Sequence, residues 1–187
     1  MEVQEAITTR RSIRKFTDEP VSQEDLDAML EAIRWAPSWA NTQCWEVIVV
    51  SEEEQREKLA ETFPPKNPGT KAVTKAPMVF IFAAKKGVSG YYKDKEVTLY
   101  GDWFMFDLGL AMQNLALAAH SRGLGTVDLG YFDHVKVAEI IGISGEFQVV
   151  AMIPLGHPAE IPSPPTRKEA TEFVSYESFG RRTKETR

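Results

Sequence analysis

From Trp103 to Ala119 the chain is apolar almost all round, interrupted by Asp107, Gln113 and Asn114. A helix lying on a protein surface shows a polar face opposite its apolar stripe. The helix predicted over Asp102–Arg122, with Phe106, Leu110, Leu117 and Ser121 along it, lacks such a face. It is therefore expected to be central, covered on most sides by other elements. That requirement excludes a small or open fold, and 187 residues supply one substantial core without demanding two domains. The stretch is too short and too interrupted to span a membrane. The N-terminus opens with Glu2 and Glu5 and lacks the basic-then-apolar order of a secretory signal. The single cysteine, Cys44, cannot form an intrachain disulfide. Together these predict a soluble protein of the reducing cytoplasm.

Elements are arranged around that helix in a readable order. Val3 and Ile7 suggest a short initial helix. Ser22 is placed to cap the next one, whose stripe is Leu26, Met29, Leu30 and Ile33 and whose stop is Pro37. Trp45–Val50 is a strand candidate. Ser51, Glu52, Glu53 and Glu54 predict a capping box opening a helix to about Glu61. Five Pro and Gly residues between Phe63 and Pro77 predict a loop. Met78–Ala84 is nearly continuously apolar, as strands buried on both faces are. Gly87–Lys95 reads as a polar loop bearing Tyr91 and Tyr92, placed to flank a pocket. Gly123 is suited to end the long helix, Asp133 to cap another through Ile141, and Phe147–Leu155 to form a last core strand. The tail from His157 is Pro-rich and charged but carries Ile161, Phe173, Val174, Tyr176 and Phe179. Part of it is expected to pack on a neighbouring surface such as a second subunit. Helices and strands do not alternate regularly, so an α+β layer arrangement is predicted.

The densest polar feature is Arg10-Arg11-Ser12-Ile13-Arg14-Lys15-Phe16. It sets four cations and a hydroxyl within six positions of a chain whose net charge is -5. Long nucleic acid calls for a broad basic face, whereas a local cluster suits one compact polyanion. In an extended segment Arg10, Ser12 and Arg14 project to one side and Arg11 to the other. Two readings stay open: a phosphate grip, or a solvated edge pairing with Asp18 and Glu19. Thr166-Arg167-Lys168 is either a second contribution to the same grip or another solvated patch. Pro37-Ser38-Trp39-Ala40-Asn41-Thr42-Gln43 offers directional hydrogen-bonding groups after a helix stop, for a ligand or for local capping. Gln113 and Asn114, as amides in an apolar helix, need partners. His120, His134 and His157 have no metal-ligand spacing, and Cys44 has no activating neighbour in sequence. Walker, serine-hydrolase and dinucleotide motifs are absent, with Gly123-Leu124-Gly125 too short a match to the last. Acid, base and metal chemistry are thus poorly supported, which fits a protein whose cofactor carries the reaction.

Taken together, these segments resemble the FMN-dependent nitroreductase family. The resemblance is carried by Arg10–Phe16, Trp35-Ala36-Pro37-Ser38-Trp39-Ala40-Asn41-Thr42-Gln43, Gln113–Ala119 with Gly123-Leu124-Gly125, and Gly156-His157-Pro158 with Arg167-Lys168. It covers nearly the whole chain. It implies an α+β nitroreductase-like three-layer sandwich, a central mainly antiparallel mixed sheet flanked by helices. Residues 1–187 would form a single domain, with 157–187 an extension packing on a dimer partner. It implies that Arg10, Ser12 and Arg14 contact the FMN phosphate, with Arg11 contributing, and that Arg167 or Lys168 adds a positive contact. Pro37, Ser38 and Asn41 would lie along the flavin, and Asp128, Leu129 and Gly130 would offer backbone donors near its reactive nitrogen. Trp39, Tyr91 and Tyr92 would border the substrate pocket, with no metal and no catalytic side chain. The implied activity is a homodimeric oxidoreductase that takes hydride from NADH or NADPH and reduces nitroaromatics, quinones or similar acceptors. The alternatives are a flavin-dependent reductase or dehydrogenase of an unrelated metabolite, and a flavin-binding module without turnover. Cys44 stands where many relatives have Pro, and Trp39 where smaller side chains are common. An inward Asp128 would favour neutral aromatic acceptors.

Overall fold

The apolar run at Met78–Ala84 is the spine of the molecule. In the computed structural model, which describes residues 1–183, it forms strand β2 (Met78–Lys85), buried at every residue but Lys85. Side chains alternate across a strand. Phe80, Phe82 and Ala84 therefore enter one core, and Val79 and Ile81 a second core on the opposite face. Withdrawing each large apolar side chain from water is worth roughly 1.5–3 kcal/mol before ordering entropy is subtracted.

β2 pairs antiparallel with β1 (Trp45–Val50) and β6 (Phe147–Gly156), and β6 pairs with the short β5 (Gly125–Thr126), giving the order β1-β2-β6-β5. A parallel bridge from Ser12 to Thr126 lies beyond β5 and makes the sheet mixed. On one face pack α2 (Gln23–Arg34) and α5 (Phe104–Ser121), through Met29, Ile33, Leu108, Ala111, Leu115 and Ala119. On the other pack α3 (Glu53–Ala60), α4 (Pro68–Lys75) and α6 (His134–Ile141), through Leu59, Val73 and Val137. The expected three-layer α+β sandwich is present. α1 (Val3–Thr9) leads into the basic segment.

Local signals act largely as predicted. Ser22 Oγ accepts from the Asp25 N–H at 3.0 Å, and Asp133 accepts from the Val135 and Lys136 N–H groups. Gly123 ends α5 with φ +80°, where a side chain would be strained. Four expectations need correction. The Ser51 capping box does not form: Glu52 is the cap residue of α3 and makes no side-chain cap. Negative charge at the first turn still suits the helix dipole. The Phe63–Pro77 segment is not all loop, because it contains α4. Pro68 sits at the first turn, where a missing N–H costs nothing, and Asn67 caps the Gly69 N–H at 2.8 Å. Within Gly87–Lys95, Tyr91–Tyr92 (β3) pairs with Lys95–Glu96 (β4) as a hairpin.

The fourth correction concerns α5, which the rest of the chain covers on one side only. Met105 and Phe106 are 60% and 56% exposed, and Gly109 and Gln113 are exposed with them. Hydropathy does not distinguish a face that meets the chain's own sheet from one left bare. The tail contains only the short helix α7 (Ala170–Phe173), and Ile161, Phe173 and Phe179 are exposed. The last part of the expected extension, 184–187, lies outside the described residues. Among the described residues no helix is long and apolar enough to cross a membrane.

Candidate functional site

The basic segment leaves the end of α1 and runs alongside β5, where the Ile13 N–H donates to Thr126 O at 2.8 Å. Ile13 and Phe16 are buried with Ala72, Ala76 and Val127. Burial of Ile13 directs its neighbours Ser12 and Arg14 away from that core. The approach is close enough that a Cβ at Gly125 would stand 2.4 Å from Ile13 Cγ1 and 2.7 Å from its Cβ.

The four cations differ in what they hold. Lys15 pairs with Glu160. Arg11 donates to the carbonyls of Thr8 at 2.9 Å and Arg10 at 2.8 Å, and it lines a cavity of ≈ 210 Å³ with His120, Pro158 and Ile161. It thus caps the end of α1 and shares nothing with Ser12. Arg14 reaches only Ser12 O, at 3.4 Å. Arg10 is half-buried and makes no side-chain hydrogen bond or ion pair among the described residues. Neither Asp18 nor Glu19 pairs with the cluster, and Glu19 faces His157 at 3.7 Å. Two guanidinium groups therefore keep most of their donors unclaimed beside one hydroxyl, a set that fits a phosphate. The charges of Arg10 and Arg11 reach His120, bonded to Thr9 Oγ1 at 2.7 Å. Burial, then Arg10 and Arg11, push its pKa below the usual imidazole value.

Next to this segment runs the turn Asp128-Leu129-Gly130. Leu129 exchanges both backbone hydrogen bonds with Met152 at 2.9 Å, so its N–H is committed inward, against the expectation that it serves a ligand. The Asp128 and Gly130 N–H groups have no such partner among the described residues. His134 secures the turn, with Nε2 3.1 Å from Gly130 O and Nδ1 3.1 Å from Val149 O, its ring stacked on Phe132 at 4.1 Å. Asp128 still touches water at its surface, yet the protein crowding its carboxyl removes enough solvent to raise its pKa, an effect opposed by the charge of Arg10.

A separate polar feature is the loop after α2. It contains one turn of 3-10 helix at Trp39–Asn41, with positive φ at Ala40 (46°), Asn41 (55°) and Gln43 (47°). Non-glycine residues there cost of order 1 kcal/mol each and persist where surrounding contacts impose them. Ser38 Oγ accepts from the Gln43 N–H at 2.9 Å, and Gln43 Nε2 donates to Asn41 Oδ1 at 3.2 Å. Pro37 and Asn41 line a cleft of ≈ 440 Å³ with Arg34, Trp35, Ala36 and Gln43. Trp39 is half-buried, its N–H donating to Asp107 Oδ1 at 2.8 Å. Asp107 registered in the sequence only as an interruption. A lone acid in an apolar helix was the signal that could have singled it out. Burial, followed by the Asp107 charge, pushes the Cys44 thiol up to about 12, leaving it protonated and unreactive.

The remaining candidates are more dispersed. Asn114 donates to Ala32 O at 3.0 Å and ties α5 to α2, whereas Gln113 points to solvent and is not the buried amide expected. Tyr91 is half-buried and Tyr92 exposed. Arg167 and Lys168 are exposed, and within this protomer nothing joins them to Arg10, Ser12 or Arg14.

A mixed sheet between helix layers, edged by an arginine–hydroxyl cluster and a strained polar loop, defines a protein built to hold a phosphorylated planar group. Residues 7–157 match the model of the nitroreductase family, and the chain belongs to that family. An FMN reductase (NAD(P)H) of Bacillus subtilis is 32% identical over 173 residues, covering 85% of this chain and 67% of that protein. A nitroreductase family protein from Clostridium novyi superposes with TM-score 0.76 at 28% identity, covering 97% of this chain and 96% of the other. The NADPH:FMN oxidoreductase of Vibrio harveyi, solved with NAD+, superposes with TM-score 0.79 at 27% identity over 95% of this chain and 77% of the other.

Proposed function

We propose that this chain acts as a homodimer with FMN at its subunit seam, reducing neutral nitroaromatic, quinone or similar electrophilic acceptors. The chain is an FMN-dependent NAD(P)H oxidoreductase, the class to which its relatives' names and its family belong. Bound FMN supplies the redox chemistry, accepting hydride from NADH or NADPH and passing reducing equivalents to the acceptor in a ping-pong order.

The observation that carries this reading is the pair of unclaimed guanidinium groups at Arg10 and Arg14 beside Ser12. They take the phosphate end, where charge-assisted hydrogen bonds contribute about 1.5–3 kcal/mol each. Arg167 or Lys168 adds a further cation. Pro37, Ser38 and Asn41 line the ring, and the Asp128 and Gly130 N–H groups face its polar edge. Held this way, donor and acceptor meet the same surface at about 3–3.5 Å, which is the protein's contribution to rate. The bare face of α5 at Met105 and Phe106, together with exposed Ile161, Phe173 and Phe179, supports a partner that covers the seam. Trp39, Tyr91 and Tyr92 bound the acceptor space, and the Asp128 carboxylate disfavours anionic acceptors.

Anaerobic stopped-flow reduction of the purified yellow protein by NADH and NADPH, followed by an acceptor panel, tests the reading. Bleaching by one nucleotide and recovery with acceptor is the expected result. Bound flavin that neither nucleotide bleaches would remove the enzyme and leave a flavin-binding module.

A further inference from the structure

Asp107 lies in the first turn of α5 with no exposed surface, and no cation pairs with it among the described residues. An ionised carboxylate buried without partners costs several kcal/mol. Its partners are all donors, and they come from two separate segments. The Trp39 N–H donates to Oδ1 at 2.8 Å. The Ser89 hydroxyl donates to Oδ2 at 2.6 Å, and the Thr42 hydroxyl and Cys44 thiol approach the same oxygen at 3.5 and 3.6 Å. Trp39, Thr42 and Cys44 bracket the left-handed residues Ala40, Asn41 and Gln43. Ser89 opens the hairpin that carries Tyr91 and Tyr92, and its carbonyl accepts the Trp103 N–H at 3.0 Å.

We infer that Asp107 is a positioning residue: one buried carboxylate holds the strained Trp39 loop and the Ser89 hairpin at a fixed separation, and thereby sets which acceptors fit the cleft. The assignment rests on the reading above that the Pro37–Asn41 loop faces the flavin. Packing alone does not call for it, because an apolar residue of similar volume would fill the first turn of α5 without requiring four donors. A loop held in left-handed conformations by non-glycine residues needs an external restraint, and the bond from the Trp39 N–H supplies it one residue before Ala40. Loss of the carboxylate would release together the Trp39 loop and the Ser89 hairpin, which on the reading above bound the acceptor space. The phosphate grip, built on a different segment, would be untouched.

Two variants test this, Asp107→Asn and Ser89→Ala, each compared with the native flavoprotein. The first measurement is discrimination between acceptors, the ratio of kcat/KM for a one-ring nitroaromatic to that for a two-ring quinone. It is expected to change by about threefold or more in Asp107→Asn, and in the same direction but less in Ser89→Ala. FMN should still be retained, because Arg10, Ser12 and Arg14 are untouched, with a loss of affinity well below the about 100-fold expected when those arginines are removed. The second measurement, alkylation of Cys44 under native conditions, needs no activity. It should quicken in Ser89→Ala, which keeps the Asp107 charge that raises the thiol's pKa, so that faster labelling there reports opening of the loop. If Asp107→Asn does not fold, Ser89→Ala, which keeps the carboxylate and three of its donors, decides alone. Unchanged acceptor ratio and unchanged Cys44 labelling in a folded Ser89→Ala protein would overturn the inference. Equal loss toward every acceptor and toward nicotinamide would also overturn it, leaving a purely structural acid. Failure of the native protein to bleach would defeat the flavin reading instead, and the Cys44 rates would still judge the restraint.

Discussion

The two faces of α5 are made of similar residues and have opposite fates. The inner face, Leu108, Ala111, Leu115 and Ala119, is fully buried against β2, β6 and α2. The outer face, with Met105, Phe106 and Gln113, is open to water. Between them lies the difference between an interior that this chain completes by itself and a surface that it leaves bare. On the proposed reading that bare surface is a subunit seam, to which the unclaimed guanidinium groups of Arg10 and Arg14 and the exposed aromatics of the tail would belong. Apolarity in the sequence therefore signals burial, but it does not say by what.

Four variants probe that division, in decreasing order of effect. Leu115→Ala, on the inner face, should destabilise the protein by about 2–5 kcal/mol in chemical denaturation, since the sheet behind it cannot collapse into the cavity. Retention of that stability would mean that the inner face is as loosely held as the outer. Arg10→Ala combined with Arg14→Ala should leave the apoprotein's Tm nearly unchanged while weakening FMN about 100-fold or more, as two charge-assisted contacts are lost. Fluorescence titration of the apoprotein measures this. A large fall in apoprotein Tm would instead assign these arginines to the interior.

Phe106→Glu places a charge on the outer face. It should shift a dimer toward monomer by about 2 kcal/mol, read by sedimentation, with protomer fold unchanged in circular dichroism. An unchanged sedimentation coefficient would detach that face from the proposed seam. Asp128→Asn is the mildest. Its carboxyl pKa is raised, so the stability linked to its neutral form is present below the unfolded value and lost as pH rises through the native one. The carboxylate is thus a small cost at pH 7, and the Asn variant should melt slightly higher there, with the gap closing in acid. It should also narrow the preference for neutral over anionic nitroaromatics by a few-fold, roughly the worth of one screened charge.

Most of the framework was legible because it rests on local patterns. β1 occupies Trp45–Val50, the strand candidate, and β2 and β6 begin where the apolar runs begin. Local patterns mislead where one residue type serves two opposed purposes. Pro68 reads as a breaker yet starts α4, and Ser51 reads as a cap yet α3 begins one residue too late to use it. In the candidate site, the cluster of Arg10, Ser12 and Arg14 stands out by density and parity, and Arg14 reaches only Ser12 O among the described residues. The inward commitment of the Leu129 N–H does not stand out, because it depends on Met152, distant in sequence. The meaning of Asp107 was hidden for the same reason, its partners being brought to it by tertiary structure alone.

Gly125 carries a consequence that reaches beyond its own turn. Its bare Cα is what lets Ile13 seat against β5, and a methyl group there would meet branched carbons rather than the end of a flexible side chain. The displaced piece would be the strip of backbone from which Ser12 and Arg14 project. A change at a glycine that touches no ligand would then be felt as a protein that folds, turns out colourless, and cannot keep its cofactor through purification.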